Sequence, residues 1–274
     1  MLGFEYATLG RWEDSAEEFG AANRLDPSQC IPYVGLTIDY LALNRFADAH
    51  AIYKQALARK FGPGELDSLR YQLVLLEGDS GMMAKVAASM AGQPGFSGTI
   101  VAETDTYFGR LEKARELGRR AAKTALSKGD KGQGAYFEAV TALFEALLGD
   151  VAAARQDGTS AVGLSKCEHR QTPEAVLALA LAGDSAHAGK FAEVLARGNP
   201  LNTLINNIWV PEIRSAIKLK EGQAESAVDE LTPAAAYELG WGGPALMSVY
   251  LRGQAYLAAR RGAEAASEAG DHGE

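Results

Sequence analysis

Apolar residues recur along this chain at the three- and four-residue spacing of amphipathic helices. One set lies before Asn44 and another lies after it, namely Tyr33, Leu36, Tyr40 and Leu43, then Phe46, Ala49, Tyr53 and Ala56. Asparagine tolerates the left-handed backbone conformation that ends many helices. The pattern therefore predicts two amphipathic helices that meet at a tight turn at Asn44.

The same arrangement recurs through the chain, because a glycine or asparagine follows an apolar stretch at intervals of 31 to 40 residues. The predicted turn residues are Gly10, Asn44, Gly78, Gly109, Gly149, Gly183, Gly222 and Gly262. After Gly78, Gly149 and Gly183 comes an aspartate, which can cap the next helix. Self-similarity of this period predicts a series of helical hairpins.

A small residue stands five positions beyond nearly every predicted turn. The column is Ser15, Ala49, Met83, Ala114, Ala154, Ala188, Ala227 and Ser267, in which Met83 is the exception. Paired helices can approach closely only where the facing side chain is small. The column therefore predicts the positions at which the two helices of each hairpin converge.

Composition agrees with an all-helical fold. The chain has 49 alanines and 31 leucines but only 20 valines and isoleucines together. Alanine and leucine favour helices and β-branched residues favour strands, so the composition argues against an all-β protein or a doubly wound parallel-sheet protein.

Charge and cysteine content narrow the function classes. The net charge of −8 argues against a nucleic-acid partner, since phosphate backbones repel an acidic protein. No apolar run is long enough for a membrane span, and the first residues lack a basic leader. The two cysteines, Cys30 and Cys167, form no paired spacing, which favours a reducing compartment. We expect a cytoplasmic protein with no membrane span.

The first two units, residues 9–57, resemble the tetratricopeptide repeat. Phe19, Ala22 and Pro27 match the apolar, small and proline positions of its second helix and closing turn, and the second unit repeats the match from Asn44 to Ala56. The resemblance implies an all-α, right-handed superhelical solenoid of about seven to eight helical hairpins. We expect a single array over residues 1–268 and a short flexible tail over residues 269–274.

The later units resemble the C-terminal repeat region of bacterial, acidobacterial-type, eukaryotic-like serine/threonine kinases. The segments that carry this resemblance include YQLVLLEGD, GRLEKARELGRRAAKTA, FEALLGD, ALALAGD, LNTLINNIWVPEI and YLRGQAYLAARRG. In that family the repeats serve interaction or sensing and contribute no catalytic residues. The chain lacks every kinase motif, so it would be the appendage or a free-standing relative.

Enzyme and metal signatures are poor. The glycine-rich segment Gly129–Gly134 has no preceding strand to aim it at a phosphate, so a turn between helices is the better explanation. Cys167, Glu168 and His169 would need further converging ligands to hold a metal ion, and Cys167 has no partner pattern for nucleophilic catalysis. We expect no catalytic residues, no metal and no cofactor.

A basic stretch offers one candidate binding surface. Arg115, Arg119 and Lys123 repeat every four residues and so share a helix face, with Arg120 beside them. Such a patch could attract an acidic or phosphorylated partner. The competing explanation is a solvated outer face, because in this repeat the second helix usually points away from the groove.

A second candidate surface lies in LNTLINNIWVPEI and the next first helix. Asn202, Asn206 and Asn207 could hydrogen-bond an extended peptide backbone, with Arg214, Tyr250 and Arg252 as further partner-binding candidates. Helix capping explains Asn202 equally well, and aromatic packing explains Tyr250.

The sequence as a whole predicts a non-enzymatic protein-interaction scaffold that binds a peptide or protein partner in a concave groove, in bacterial signalling. The alternative is a ligand-sensing regulatory module of a serine/threonine kinase or its neighbour, which would be extracytoplasmic if this chain is a fragment of a membrane-tethered kinase.

Overall fold

A computed structural model of the chain describes residues 2–61, 66–90, 97–165, 172–241 and 246–270. Every regular element in these ranges is helical, which confirms the predicted all-α class. The α-helices, in chain order, are α1 (Leu2–Thr8), α2 (Trp12–Leu25), α3 (Cys30–Ala42), α4 (Phe46–Ala58), α5 (Asp67–Glu77), α6 (Ser80–Met90), α7 (Ser97–Tyr107), α8 (Leu111–Ser127), α9 (Lys131–Leu147), α10 (Val151–Ser165), α11 (Pro173–Leu181), α12 (Ser185–Gly198), α13 (Val210–Lys220), α14 (Ala224–Glu230), α15 (Met247–Ala258) and α16 (Gly262–Gly270). A π-helical segment, Ile205–Trp209, precedes α13, and a 3-10 helix, Thr232–Tyr237, follows α14.

The chain divides into two compact units. The first comprises Met1–Val101 together with Leu239–Trp241, and the second comprises Ala102–Glu238 and Gly242–Glu274. The predicted array over residues 1–268 stays a prediction. Of the predicted tail, the first two residues belong to α16, and the rest lie outside the described part of the chain.

The predicted turns adopt the left-handed conformation at seven of the eight positions, from Gly10 (φ 70°) to Gly222 (φ 75°). At Asn44, with φ 55°, the N–H of Arg45 donates to the carbonyl of Tyr40 at 2.8 Å. This six-to-one bond is the Schellman closure, which satisfies a carbonyl that the helix end leaves free.

The last turn lies two residues earlier than the sequence indicated. Arg260 has φ 60°, whereas Gly262 is already the first residue of α16. The predicted column member Ser267 is accordingly exposed, and the corrected register places Ala265 there. An arginine accepts the left-handed conformation here because the same Schellman bond forms, from the N–H of Arg261 to the carbonyl of Tyr256 at 2.8 Å.

A tyrosine–arginine pair marks three of these turns. The guanidinium of Arg45 lies 4.5 Å from the ring centre of Tyr40, and that of Arg261 lies 4.6 Å from the ring of Tyr256. The first turn repeats the arrangement with Arg11 over Tyr6 at 4.5 Å. Each contact joins the end of one helix to the start of the next by a cation–π interaction.

The small column is buried as predicted. Ser15, Ala49, Ala114, Ala154, Ala188 and Ala227 are all fully buried. Met83 is partly buried and packs against Tyr71, Val86 and Met90. Size at these positions therefore controls how closely the paired helices approach.

The core of the first unit is built around aromatic side chains. The ring of Phe19 lies against Gly3 and Gly35 so closely that a Cβ atom at either glycine would overlap with it. In the same unit, Trp241 stacks on Phe4 with ring centres 5.4 Å apart, and the backbone N–H of Trp241 donates to the carbonyl of Ala7.

The core of the second unit centres on α11. Leu177, Ala178, Leu179 and Ala180 are completely buried, so this helix is apolar on all sides. The first helices of successive hairpins, α9, α11, α13 and α15, contact one another in that order. This order brings the C-terminal ends of α11, α13 and α15 side by side.

Candidate functional site

A groove lies between the C-terminal ends of α11, α13 and α15. We call it the apolar groove; its volume is about 370 Å³. It is lined by Leu181, Ala216, Leu219, Lys220, Gln254, Leu257 and Ala258. Each lining residue lies two to six positions before a turn residue, so the hairpin register places them on the same face of successive helices.

The apolar groove presents hydrophobic surface to solvent. Leu181 and Leu219 are partly buried and pack against the core, whereas Leu257 is 65% exposed. Lys220 is exposed at the edge and has no ion-pair partner among the described residues. A groove of this kind can accept apolar side chains of a ligand and one acidic group beside them.

Tyr250 extends this surface along α15. It is 46% exposed, and its hydroxyl accepts a hydrogen bond from the side-chain amide of Gln254, one turn further on. Of the six residues predicted to bind a partner, Tyr250 is thus the one connected to a residue of the apolar groove.

The three predicted asparagines hold local structure. The side-chain oxygen of Asn202 accepts from the N–H of Ile205 at 3.1 Å, which is the capping role left open by the sequence. The amide of Asn206 donates to the carbonyls of Asn199 and Asn202, at 2.6 and 2.8 Å. The amide of Asn207 donates to the hydroxyl of Tyr237 at 3.3 Å.

Around these asparagines the backbone forms a π-helical turn, in which hydrogen bonds span five residues instead of four. The N–H of Val210 donates to the carbonyl of Ile205, five residues back, and Pro211 follows. Proline has no N–H to offer the carbonyl four residues earlier, so the wider turn accommodates it at the start of α13.

The two predicted arginines of this region form ion pairs within the protein. Arg214 pairs with Glu193 at 2.7 Å on the surface. The guanidinium of Arg252 donates to both oxygens of Glu268, at 2.7 Å each, and to both oxygens of Glu238. Because two carboxylates already occupy the half-buried Arg252, it has little to offer an acidic ligand.

Arg115, the first residue of the predicted basic patch, is enclosed by three carboxylates. Its nitrogen atoms lie 2.6 Å from oxygens of Glu112, Glu145 and Asp150, and its side chain is 11% exposed. Gly118 allows α8 to come this close to α9, since a Cβ atom there would overlap with Thr141. Arg115 therefore neutralises a buried carboxylate.

Two other residues of the patch, Arg119 and Lys123, line a second groove, of about 480 Å³, which we call the charged groove. It lies between α8 and α10 over α9 and is lined by Arg119, Ala122, Lys123, Leu126, Ser127, Glu138, Gln156, Asp157 and Ser160. Arg119 is shared between Asp157 at 3.3 Å and Glu145 at 3.8 Å. Lys123 and Arg120 are exposed and pair with no described carboxylate.

Two further buried carboxyl groups lack a cation among the described residues. Burial raises the pKa of Asp39 to about 7, which a hydrogen bond from the hydroxyl of Ser15 partly opposes. Burial also raises the pKa of Glu212 well above its ordinary value, and the hydroxyl of Ser248 opposes that effect. Neither oxygen of Glu212 has a hydrogen bond of good geometry within the described structure.

The structure gives no support to the glycine-rich segment as a phosphate site or, within the described residues, to a metal site. Of the Gly129–Gly134 segment, only Gly129 and Asp130 lie in the turn between α8 and α9; residues 131–134 form the first turn of α9, which Asp130 caps by accepting from the N–H of Gln133 at 2.9 Å. Cys167, Glu168 and His169 lie outside the described residues. Across the described ranges, no three His, Cys, Asp or Glu side chains are grouped to hold a metal ion.

The apolar groove was not predicted from the sequence, although its leucines occupy similar positions before successive turns. Leu181 stands two residues before Gly183, Leu219 three before Gly222, and Leu257 three before Arg260. The sequence signal was an apolar residue that recurs two or three positions before a turn, at the end of each of these first helices.

Comparisons with known proteins add no identity, since no protein-family model and no curated protein matches the chain. The tetratricopeptide and kinase-repeat resemblances stay predictions. Within the described parts of the chain, no helix has the length and apolar character that crossing a membrane requires.

Proposed function

We propose that this chain is a non-enzymatic protein-interaction scaffold that binds a peptide or protein partner in the apolar groove. The observation that carries the proposal is an open hydrophobic surface on three consecutive first helices, with Leu257 65% exposed. Exposed apolar surface that is rimmed by polar groups is typical of binding sites for proteins.

The proposed architecture is a tetratricopeptide-like right-handed solenoid of about seven to eight hairpins. Support comes from the repeated Schellman turns, the buried small column and the ordered contacts of α9, α11, α13 and α15. In such an array the first helices line the concave face, and the apolar groove lies on these helices.

The chemistry of the groove defines the partner. Leu181, Leu219 and Leu257 would receive apolar side chains, and Lys220 would pair with an acidic residue next to them. The partner segment we propose is therefore a short peptide with a few apolar side chains and an acidic residue. Bacterial signalling is the proposed setting, on the strength of the kinase-repeat resemblance alone.

The test is selection of a random displayed peptide library on the wild-type protein, followed by affinity measurements with synthetic peptides. Leu257→Asp places a carboxylate in the groove and should weaken binding by about tenfold or more. Its matched control is Leu201→Asp, because Leu201 is 96% exposed and lies outside the groove.

Enrichment of apolar, acidic peptides that lose affinity for Leu257→Asp and keep it for Leu201→Asp would support the proposal. A selection that yields no sequence, or peptides that bind both variants as well as they bind wild type, would overturn it.

The alternative function is a ligand-sensing regulatory module of a serine/threonine kinase or its neighbour. The volume of the apolar groove, about 370 Å³, favours it, because small-molecule pockets begin near this size. A rise in melting temperature with one metabolite, abolished by Leu257→Asp, together with an empty peptide selection, would make this alternative the better description.

A further inference from the structure

The charged groove combines opposite charges that the protein itself does not pair. Lys123 projects from α8, is exposed and forms no ion pair with a described residue. Glu138 lies on α9 at the same groove, and its Oε2 atom is buried with no hydrogen-bond partner within the described structure. A buried carboxylate oxygen without a partner is costly, so it calls for an explanation.

The neighbouring charges cannot supply that explanation. Arg119 is already divided between Asp157 and Glu145, and Arg115 lies among three carboxylates. The groove therefore holds one free cation at Lys123 and uncompensated negative charge at Glu138, as far as the described residues extend. A purely anionic ligand such as phosphate would meet the carboxylates of Glu138 and Asp157, and a purely cationic one would meet Lys123 and Arg119.

The geometry points to a binding site for a small zwitterion, a free amino acid, in the charged groove. The ligand ammonium group lies beside Glu138, and the ligand carboxylate pairs with Lys123. Ser127, Gln156 and Ser160 supply further hydrogen-bonding groups on the walls, and Leu126 supplies an apolar contact. The volume of about 480 Å³ holds a ligand of this size.

This site is separate from the apolar groove, since the two grooves share no lining residue. Its success or failure is therefore independent of the proposed protein partner.

The experiment is ligand-observed NMR and calorimetry on the full chain, using the free amino acids as probes. At least one should bind with a dissociation constant below about 1 mM. Its decarboxylated amine and its deaminated acid should each bind about tenfold more weakly, because each lacks one of the two charges. Inorganic phosphate should bind more weakly than the amino acid.

Two variants locate the site. Lys123→Met and Glu138→Gln should each weaken binding of that amino acid by about tenfold. The matched controls are Lys113→Met and Glu116→Gln, exposed positions on α8 outside the groove, which should bind within about twofold of wild type.

Three results would overturn the inference. They are no amino acid that binds with a dissociation constant below about 1 mM, binding of the amine, the acid or phosphate as tight as that of the amino acid, and binding unchanged in either groove variant. Circular dichroism of each variant shows whether the fold is intact, so that lost binding is assigned to the site.

Discussion

The α8–α10 region and the α11–α15 region of the second unit each bury one glutamate completely, but they treat its charge differently. Glu145 of α9 receives the guanidinium of Arg115 at 2.6 Å. Glu212 of α13 has no ion-pair partner among the described residues; the polar groups that act on it are Ser248 and the carboxylate of Glu238, which adds to the rise in its pKa. Burial raises the pKa of both carboxyl groups, but Arg115 opposes the effect only at Glu145.

A count of basic residues therefore does not locate a binding surface. In the α8–α10 region, Arg115 and Arg119 form ion pairs with carboxylates of the same region and are therefore not free to bind a partner. In the α11–α15 region the open surface is apolar. This is why the proposed binding surface is the apolar groove and not the basic stretch.

The largest change in the free energy of unfolding is expected from a change of pH, because buried carboxyl groups without a cation resist ionisation. Asp39 resembles Glu212, since it is buried without a described cation, and its pKa is about 7 in the folded protein. Between about pH 4 and pH 7 the unfolded chain loses this proton while the folded protein keeps it. The free energy of unfolding should therefore fall as pH rises, on the order of 4 kcal/mol for this group.

Asp39→Asn should remove this part of the decline, because asparagine keeps an oxygen that accepts from Ser15 and never ionises. Urea unfolding of both proteins from pH 4 to pH 8 measures the difference. Parallel curves for wild type and variant would show that Asp39 ionises in the folded protein at no cost. Glu212→Gln should flatten the decline in the same direction.

The next effect comes from removing the cation beside Glu145. Arg115→Met should lower the free energy of unfolding by about 3 kcal/mol, because it leaves a fully buried carboxylate without its partner. Chemical denaturation at pH 7 measures this loss. Arg120→Met is the control; the side chain of Arg120 is exposed and forms no ion pair with a described residue, so its replacement should change stability by less than about 0.5 kcal/mol.

A double variant, Arg115→Met with Glu145→Met, should recover most of the loss, since no buried charge is left behind. A single Arg115→Met variant as stable as wild type would mean that Glu145 does not depend on this ion pair.

Packing of the small column should have the same effect in both units, because Ala49 and Ala154 are both fully buried. Ala49→Leu in the first unit and Ala154→Leu in the second should each destabilise the protein by about 1 to 3 kcal/mol through overpacking. Ala51→Leu and Ala152→Leu, at exposed positions of the same helices, should have little effect. Melting curves measure all four, and an unchanged curve for Ala49→Leu would contradict the role of the column.

The smallest effect on stability is expected at the apolar groove. Leu257→Asp should lower the free energy of unfolding by less than about 1 kcal/mol, since the side chain is 65% exposed and the main cost is a carboxylate in the last turn of α15. Denaturation at pH 7 checks this, and a large loss would mean that Leu257 serves the core instead of a partner.

Much of the fold could be predicted from the sequence because local signals dictate it. Gly10, Asn44 and Gly222 marked turns, and Ala49 and Ala154 marked close approaches, through backbone freedom and side-chain size alone. The last turn was misplaced at Gly262 because glycine is not required where a Schellman bond holds Arg260 in the same conformation.

The candidate sites were less predictable because their residues depend on neighbours distant in sequence. Helical spacing correctly put Arg115 and Arg119 on one helix, but nothing in the spacing shows that Glu145 and Asp157 face them. The sequence predicts that the side-chain amide of Asn206 is free to bind a peptide, but in the structure it donates to the carbonyl of Asn199, seven residues away. Pairing of this kind is a property of packing between helices, which a residue pattern does not record.

The most direct test of the proposed function is hydrogen–deuterium exchange with and without a selected peptide at saturation. The account predicts slower exchange in the C-terminal ends of α11, α13 and α15, because a bound peptide would cover the apolar groove. Protection confined to α8–α10 or to the first unit, or no protection at all, would contradict it.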